Sequence, residues 1–256
     1  MSVLAVLAAA LALVGAGLAG CGSSNPYPPG SYRRAVHFYE NEDFREAAAS
    51  FDVYVRQNPT DSLAVEAQYL KAMSYLETRE YPLAAVEFKI LRQDYPTSPR
   101  AEDAAFMEAV ASFREVGRVE RDITGAKEAR RKFLEFSRRY PDSAHQPEVR
   151  DYLQQISDLS VRKRMNAVDV YLKLGRPDAA SVTLDAIIAD EPGSSLLDRV
   201  LARRAEVALR LGDEEAARIA LQRLLREFPD SPRADDARRR LGRLDGEPET
   251  ALDAGS

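Results

Sequence analysis

The stretch Asp94-Tyr95-Pro96-Thr97-Ser98-Pro99 is one copy of a phrase that recurs along the chain. Related stretches begin at residues 57, 139, 190 and 228. The central prolines are Pro59, Pro96, Pro141, Pro192 and Pro229, which are 37, 45, 51 and 37 residues apart. Self-similarity at such a period is typical of proteins built from stacked repeats, because each unit buries its apolar face against its neighbours.

Two apolar registers accompany the prolines. Alanine stands twelve residues before each proline, and phenylalanine or leucine stands eight residues before it. In four units a further alanine or valine stands another twelve residues back. Small residues at both places let two antiparallel helices approach closely, and the bulky residue fills the space beside them. We therefore predict an all-α array of about five helical hairpins over residues 31–242, with units ending near the five prolines. In chain order the registers are Ala47, Ala84, Ala129, Ala180 and Ala217; Phe51, Phe88, Phe133, Leu184 and Leu221; and Ala35, Ala72, Val168 and Ala205.

The turns inside the hairpins agree with this pattern. Gly175 and Gly212 stand where the first helix of units 4 and 5 should end, and Glu42 and Arg79 occupy that place in units 1 and 2, where they make a less favourable turn. These registers and turns resemble the tetratricopeptide repeat, which implies a superhelical array whose first helices line a groove. The wider proline spacings in the middle are expected to hold about two further helices' worth of residues.

The N-terminal segment decides where the protein is placed. Residues 1–20 carry no charged side chain, and the only cysteine, Cys21, follows them. A lone cysteine cannot form an intramolecular disulfide. Leu18-Ala19-Gly20-Cys21 resembles the lipobox of bacterial lipoproteins, which implies cleavage between Gly20 and Cys21 and lipidation of Cys21. We predict a signal peptide over 1–20, a lipidated flexible tether over 21–30 and a disordered tail over 243–256. An uncleaved membrane helix is the alternative.

Composition and motifs argue for binding and against catalysis. A net charge of -5 does not favour a nucleic-acid partner. The two histidines, His37 and His145, lie in no metal-binding or catalytic pattern, and no glycine-rich phosphate loop is present. We therefore expect no enzyme activity, no metal and no cofactor.

Counting from the repeat alanines places the groove positions that the repeat resemblance implies. At the N-terminal end they form an apolar and aromatic surface with an acidic rim, which is expected to bind extended peptides and is the predicted substrate-binding groove if the family resemblance given below holds. At the C-terminal end basic residues outnumber acidic ones, so the two ends should prefer different partners. The first set is Tyr32, Val36, Glu40, Glu66, Tyr69, Met73 and Glu77. The second is Arg162, Met165, Asp169, Lys173, Arg199, Ala202, Glu206 and Arg210, of which Arg162, Lys173, Arg199 and Arg210 are the predicted partner contacts. The alternative for any tyrosine or methionine is packing against the neighbouring hairpin.

The lipobox, the short tether, five repeats and the segment from Glu120 to Phe133 together resemble the outer-membrane lipoprotein of the β-barrel assembly machinery, the BamD/YfiO-like family. The stretch from Val168 to Gly175 resembles that family's hairpin corner, whereas Asp190-Glu191-Pro192 departs from its aromatic-proline turn. The resemblance implies a lipid-anchored scaffold on the periplasmic side of the outer membrane. Its implied partners are the POTRA domains of the barrel-inserting protein, other assembly lipoproteins and unfolded outer-membrane proteins. A periplasmic repeat lipoprotein that scaffolds cell-division or envelope-maintenance proteins is the alternative, and an enzyme with an unrecognised site is a further one.

Overall fold

The computed structural model describes residues 25–116 and 123–246, and the regular structure within these ranges is entirely α-helical. The predicted signal peptide, Cys21 and residues 247–256 of the predicted tail lie outside the described residues. None of the described helices is both long and apolar enough to cross a bilayer. The helices are α1 (Tyr32–Glu40), α2 (Phe44–Gln57), α3 (Ala64–Glu77), α4 (Tyr81–Asp94), α5 (Arg100–Val116), α6 (Ile123–Arg139), α7 (Gln146–Lys173), α8 (Pro177–Asp190), α9 (Leu197–Leu211), α10 (Glu214–Glu227) and α11 (Ala234–Leu244).

The chain divides into two compact units, one ending at Arg100 and the other beginning at Ala101. The first contains the hairpins α1–α2 and α3–α4. The second contains α5–α6, α7–α8 and α9–α10, and α11 packs against the last of these. The prediction of an all-α array of helical hairpins is confirmed.

The repeat registers form the centre of each hairpin. All fourteen alanine, valine, phenylalanine and leucine positions that the proline spacing singled out are at most 1% exposed. In unit 3 the corresponding small residue of the first helix is Ala109, which is fully buried and follows Pro96 by the same thirteen residues that separate Ala72 from Pro59. Small residues therefore mark the helix crossings in every unit, as close helix packing requires.

The turns inside four hairpins share one backbone conformation. Gly175 and Gly212 are left-handed, with φ of 68° and 75°, and Glu42 and Arg79 adopt the same conformation with φ of 62°. In each turn the next residue donates its N–H to the carbonyl five positions back, as Asp43 does to Phe38 at 2.9 Å. This is the hydrogen bond of a Schellman motif, so Glu42 and Arg79 carry a backbone strain that glycine avoids.

The proline phrase is a turn that a side-chain hydrogen bond fixes just before the next helix. The serine of the phrase accepts a hydrogen bond on its hydroxyl from the N–H two residues later: Ser98 from Arg100, Ser143 from His145 and Ser231 from Arg233, each at 3.1 Å. Asp61 takes the same role in the first phrase, where it accepts from Leu63 at 2.8 Å. The phrase recurs because every hairpin needs this stop and restart.

The long spacing between Pro141 and Pro192 has a single cause. It is 51 residues where the shortest spacings are 37, and α7 has 28 residues where the corresponding helix α3 has 14. One helix of doubled length thus accounts for the whole difference. The extra residues expected in this spacing thus extend an existing helix within the described ranges.

The ends of the predicted tether and tail are ordered. Asn25 donates a side-chain hydrogen bond to the Arg34 carbonyl at 3.1 Å, and Arg34 donates to the Tyr27 carbonyl at 3.0 Å. The prediction of a tether therefore does not extend to residues 25–30. At the other end α11 continues to Leu244, two residues past the predicted boundary of the repeat domain.

Candidate functional site

The predicted residues of α1 border one cavity. Tyr32, Val36 and Glu40 follow each other at four-residue intervals, which places them on one face of the helix. They line a cavity of about 220 Å³ together with Tyr27, Arg33 and His37. The Tyr32 ring also packs 5.5 Å from the Tyr54 ring, so this residue is both wall and partial core.

An arginine neutralises part of the predicted acidic rim on the second hairpin. Arg100 binds both carboxylate oxygens of Glu66 at 2.8 Å. The same guanidinium lies 4.5 Å from the centre of the Tyr69 ring, and this ring also packs 5.6 Å from the Phe88 ring. Glu66 is therefore not a free acidic group, and Tyr69 is held between a cation and the core.

The pKa values of two tyrosine hydroxyls, those of Tyr32 and Tyr39, are shifted by this environment. Burial raises the pKa of Tyr32 above its ordinary value, Glu66 raises it further and Arg100 opposes them. Burial likewise raises the pKa of Tyr39, with smaller contributions from Glu77 and Glu66. Tyr39 was not among the predicted positions, although it precedes Glu40 and lies near the same carboxylates.

The remaining predicted residues of this end stay accessible. Met73 is half-buried, and Glu40 and Glu77 are exposed. Neither glutamate forms an ion pair within the described part of the chain. The first unit thus offers an apolar and aromatic surface whose open carboxylates are Glu40 and Glu77.

The first helices of the last units surround a second cavity. It has a volume of about 320 Å³, and α7, α9 and α11 contribute most of its wall. Five predicted groove positions line it: Met165, Asp169, Arg199, Ala202 and Glu206. The five positions predicted by counting from the repeat alanines therefore lie together in the structure.

Ion pairs occupy most of the arginines of this cavity. Arg203 binds Asp169 at 2.7 Å and Glu206 at 2.8 Å. Arg210, one of the predicted partner contacts, also binds Glu206 at 2.7 Å. Burial opposes the charge of Glu206, but its contacts with the two arginines outweigh burial and lower its pKa.

Arg199 differs from its neighbours. Its side chain is exposed at the edge of the cavity and forms no ion pair within the described ranges. Arg162 and Lys173 are exposed on α7, but they do not line the cavity. Of the four predicted basic contacts, Arg199 is the one whose charge remains available at the cavity.

Sequence counting missed four charged residues of the cavity wall. They are Arg203, Arg233, Asp236 and Arg240. Arg233 binds Asp198 at 2.9 Å, and it follows Pro229 by the same four residues that separate Arg100 from Pro96. Arg100 also pairs with a carboxylate on the first helix of the preceding hairpin. An arginine four residues after the proline is therefore a sequence pattern from which this ion pair could have been predicted.

Both histidines make structural contacts. His37 Nε2 lies 3.3 Å from Asn41 Nδ2. His145 stacks on the Phe106 ring at 4.2 Å and lies 3.2 Å from Glu148 and 3.3 Å from Asp103. Burial lowers the pKa of His145, but these two carboxylates outweigh it and raise the pKa above its ordinary value. Among the described residues no group of His, Cys, Asp and Glu is arranged to hold a metal ion.

Comparison with known proteins addresses the chain as a whole. The predicted lipidation site, Cys21 with Gly20, lies outside the described residues. A family model described as an outer membrane lipoprotein, YfiO, matches residues 26–222, and a tetratricopeptide-repeat model matches residues 203–254. No curated protein matches the sequence significantly.

Two solved structures are similar in part. A thermophilic tetratricopeptide-repeat protein of Thermus thermophilus is 21% identical, with a TM-score of 0.33, over 83% of this chain and 95% of that one. A tetratricopeptide-repeat protein of Parabacteroides merdae is 16% identical, with a TM-score of 0.34, over 82% of this chain and 68% of that one. The repeat assignment thus depends on the registers and turns of this chain and on the family models. Since the lipoprotein model covers more than half of the sequence, the chain belongs to the YfiO family of outer membrane lipoproteins.

Proposed function

We propose that this protein is a non-enzymatic scaffold of the outer-membrane β-barrel assembly machinery, and that its last hairpins bind the POTRA region of the barrel-inserting protein. Family membership supports the assembly role. The observation that supports this contact is the cavity between α7, α9 and α11, with Arg199 at its edge and without an ion pair to any residue that the structure describes. An exposed guanidinium beside a preformed cavity suits a carboxylate on a folded partner.

The first unit is proposed to receive unfolded outer-membrane proteins. Val36, Met73 and the edges of Tyr32 and Tyr69 offer apolar and aromatic contact area. Such side chains adapt to extended segments that end in aromatic residues. The open carboxylates Glu40 and Glu77 would bias this surface against acidic segments.

Lipidation at Cys21 is proposed to hold the protein in the inner leaflet of the outer membrane, facing the periplasm. Acyl chains contribute about 0.8 kcal/mol per buried CH₂, so several chains on one residue anchor a soluble domain firmly. The anchor would keep the hairpins near the membrane-embedded partner and near other assembly lipoproteins. Cys21→Ser is expected to release the protein from the membrane, and unchanged membrane retention would contradict the anchor.

The POTRA contact can be tested by affinity purification from detergent-solubilised membranes through a C-terminal tag. Arg199→Glu should reduce recovery of a POTRA-bearing barrel protein severalfold, more strongly at low salt than at high salt. Arg226→Glu is the matched control, because Arg226 lies exposed on α10, the second helix of the same hairpin. Equal recovery with both variants would show that the cavity is not the contact. Recovery of cell-division or peptidoglycan proteins instead would favour the alternative scaffold.

The substrate surface can be tested with nearly isosteric polar changes. Val36→Thr combined with Met73→Gln should weaken binding of an unfolded segment that ends in aromatic residues, while the circular dichroism spectrum stays unchanged. Val86→Thr on α4 is the control, because Val86 is 51% exposed on a second helix. Unchanged binding by the double variant would place the substrate elsewhere.

A further inference from the structure

The doubled length of α7 leaves part of its side uncovered by its own hairpin partner. The C-terminal half of α7 packs against α8, with Val161, Met165 and Val168 in one core with Leu184 and Ile187. The N-terminal half packs against α6 instead, where Tyr152 stacks on Phe133 at 4.9 Å. Since α8 has half the residues of α7, it ends near the middle of the longer helix.

Two adjoining cavities lie where α8 ends, between α6, α7 and the turn after Asp190. Their volumes are about 590 and 430 Å³. Arg130, Leu134, Asp190 and Glu191 line both, so the two form one continuous depression, which we call the α6–α7 groove. It is formed by different residues from those of the cavity around Arg199.

Glu191 explains why this turn departs from the aromatic-proline form. The carboxylate is buried, 2.5 Å from Arg130 of α6, and it accepts a hydrogen bond from the Ser157 hydroxyl of α7 at 2.8 Å. An aromatic residue stands at this place in three other turns, as Tyr95, Tyr140 and Phe228. Here the charged residue ties the end of α8 to both other helices and so fixes the walls of the groove.

The groove has an excess of positive charge. Its basic residues are Lys127, Arg130, Arg131, Arg150 and Arg164, and its acidic residues are Asp190 and Glu191. Both acids are already engaged, Glu191 by Arg130 and Asp190 by Arg164 at 2.9 Å. Lys127 lines the larger cavity and Arg150 the smaller one, and neither has an ion-pair partner among the residues that the structure describes.

An apolar surface lies between Lys127 and Arg150. Leu134 is 43% exposed and belongs to both cavities, and Leu153 and Ile156 of α7 contribute to the floor. Lys127 and Leu134 are seven residues apart on α6, which corresponds to about 10 Å. Three residues of extended chain cover about the same distance. The groove therefore matches a segment in which an acidic residue stands three positions from a bulky apolar one.

We propose that the α6–α7 groove binds an extended acidic segment of a partner protein, with a bulky apolar side chain over Leu134 and carboxylates at Lys127 and Arg150. The residues that line this groove differ from those of both surfaces of the proposed function, so it would let the scaffold hold another protein while both are occupied. The inference is independent of the POTRA contact.

Fluorescence anisotropy with the purified protein tests this, using the labelled peptide Glu-Ser-Ser-Leu-Ser-Ser-Glu at low salt. The native protein should bind it, and Lys127→Glu with Arg150→Glu should weaken binding about tenfold. Leu134→Ser should also weaken it, and the fold should survive because Leu134 is partly exposed. Arg138→Glu, an exposed residue of α6 outside the groove, is the matched control and should leave the Kd unchanged.

Several results would overturn the proposal. One is equal binding of the peptide by the native protein and the Lys127→Glu/Arg150→Glu variant, and another is the absence of binding by the native protein. Equal binding of Lys-Ser-Ser-Leu-Ser-Ser-Lys would remove the charge argument. Loss of binding in Arg199→Glu would move the peptide to the other cavity. Binding of phosphatidylglycerol vesicles through Lys127 and Arg150, without binding of the peptide, would make the groove a membrane contact.

Discussion

Lys71 is a buried cation whose removal should destabilise the first unit. Its ammonium on α3 lies 2.8 Å from Asp52 of α2 and 2.9 Å from Glu87 of α4, and Gln68 donates a further hydrogen bond to Glu87 at 2.8 Å. Burial disfavours the charge of Lys71, but hydrogen bonds to the two carboxylates outweigh it and raise its pKa. Three helices from two hairpins thus meet on one charge.

Lys71→Met keeps the apolar stem and removes the charge. It leaves the Glu87 side chain, which is only 13% exposed, facing Asp52 without a cation between them. Removal of one partner from a fully buried pair costs about 3–5 kcal/mol. Asp52 keeps its contact with Arg56 and is 29% exposed, so part of the penalty is relieved by water and by that second partner. We therefore expect a loss of about 2–3 kcal/mol.

Hydrogen exchange measured by mass spectrometry on the purified protein can locate this loss. Protected amides of α2, α3 and α4 should exchange about 30–150-fold faster in Lys71→Met, whereas amides of α9 and α10 should not change. Lys89→Met, an exposed position on α4, is the matched control and should change stability by less than about 0.5 kcal/mol. Adding Glu87→Gln to Lys71→Met should restore part of the lost stability, because it removes the buried negative charge that Lys71 no longer neutralises. A near-native Lys71→Met, or a double variant less stable than the single one, would refute the reasoning.

Three further predictions concern other parts of the fold. Glu42→Gly should raise the free energy of unfolding of the first hairpin by about 0.5–1 kcal/mol in urea titrations, because Glu42 occupies a left-handed turn, and a loss of stability would contradict the strain. The folded-state pKa of His145 is raised, so its stabilising contribution is complete below its unfolded pKa of about 6.5 and is lost as pH rises through the folded value. His145→Gln should therefore flatten the decrease in stability as pH rises above about 6.5, and an unchanged pH profile would count against the contact. Arg130→Ala should cost about 2–3 kcal/mol by leaving the Glu191 carboxylate buried without its cation, and thermal unfolding within about 1 °C of native would argue that water replaces the arginine.

The repeat architecture could be predicted because its determinants lie close together in the chain. The alanine at position 47 and the phenylalanine at position 51 are set by the packing of one hairpin, and the proline phrase is set by the local need for a turn between two helices. Such features repeat wherever the backbone geometry repeats. For the same reason, counting from the alanines correctly predicted that Arg199 and Glu206 face the same cavity.

The state of charge at each site depended on contacts between distant parts of the chain. Glu66 was expected as an open acidic group, but its partner Arg100 lies 34 residues away on the first helix of the following hairpin. Glu191 departs from the turn pattern in the sequence, and the reason is its ion pair with Arg130, which lies 61 residues earlier in the chain. Periodicity predicts which face of a helix a residue occupies, whereas its neighbour across the face depends on how far each helix extends. The doubled length of α7 is therefore not visible in the sequence of any single turn, and the groove beside it forms only because the shorter α8 packs along half of α7.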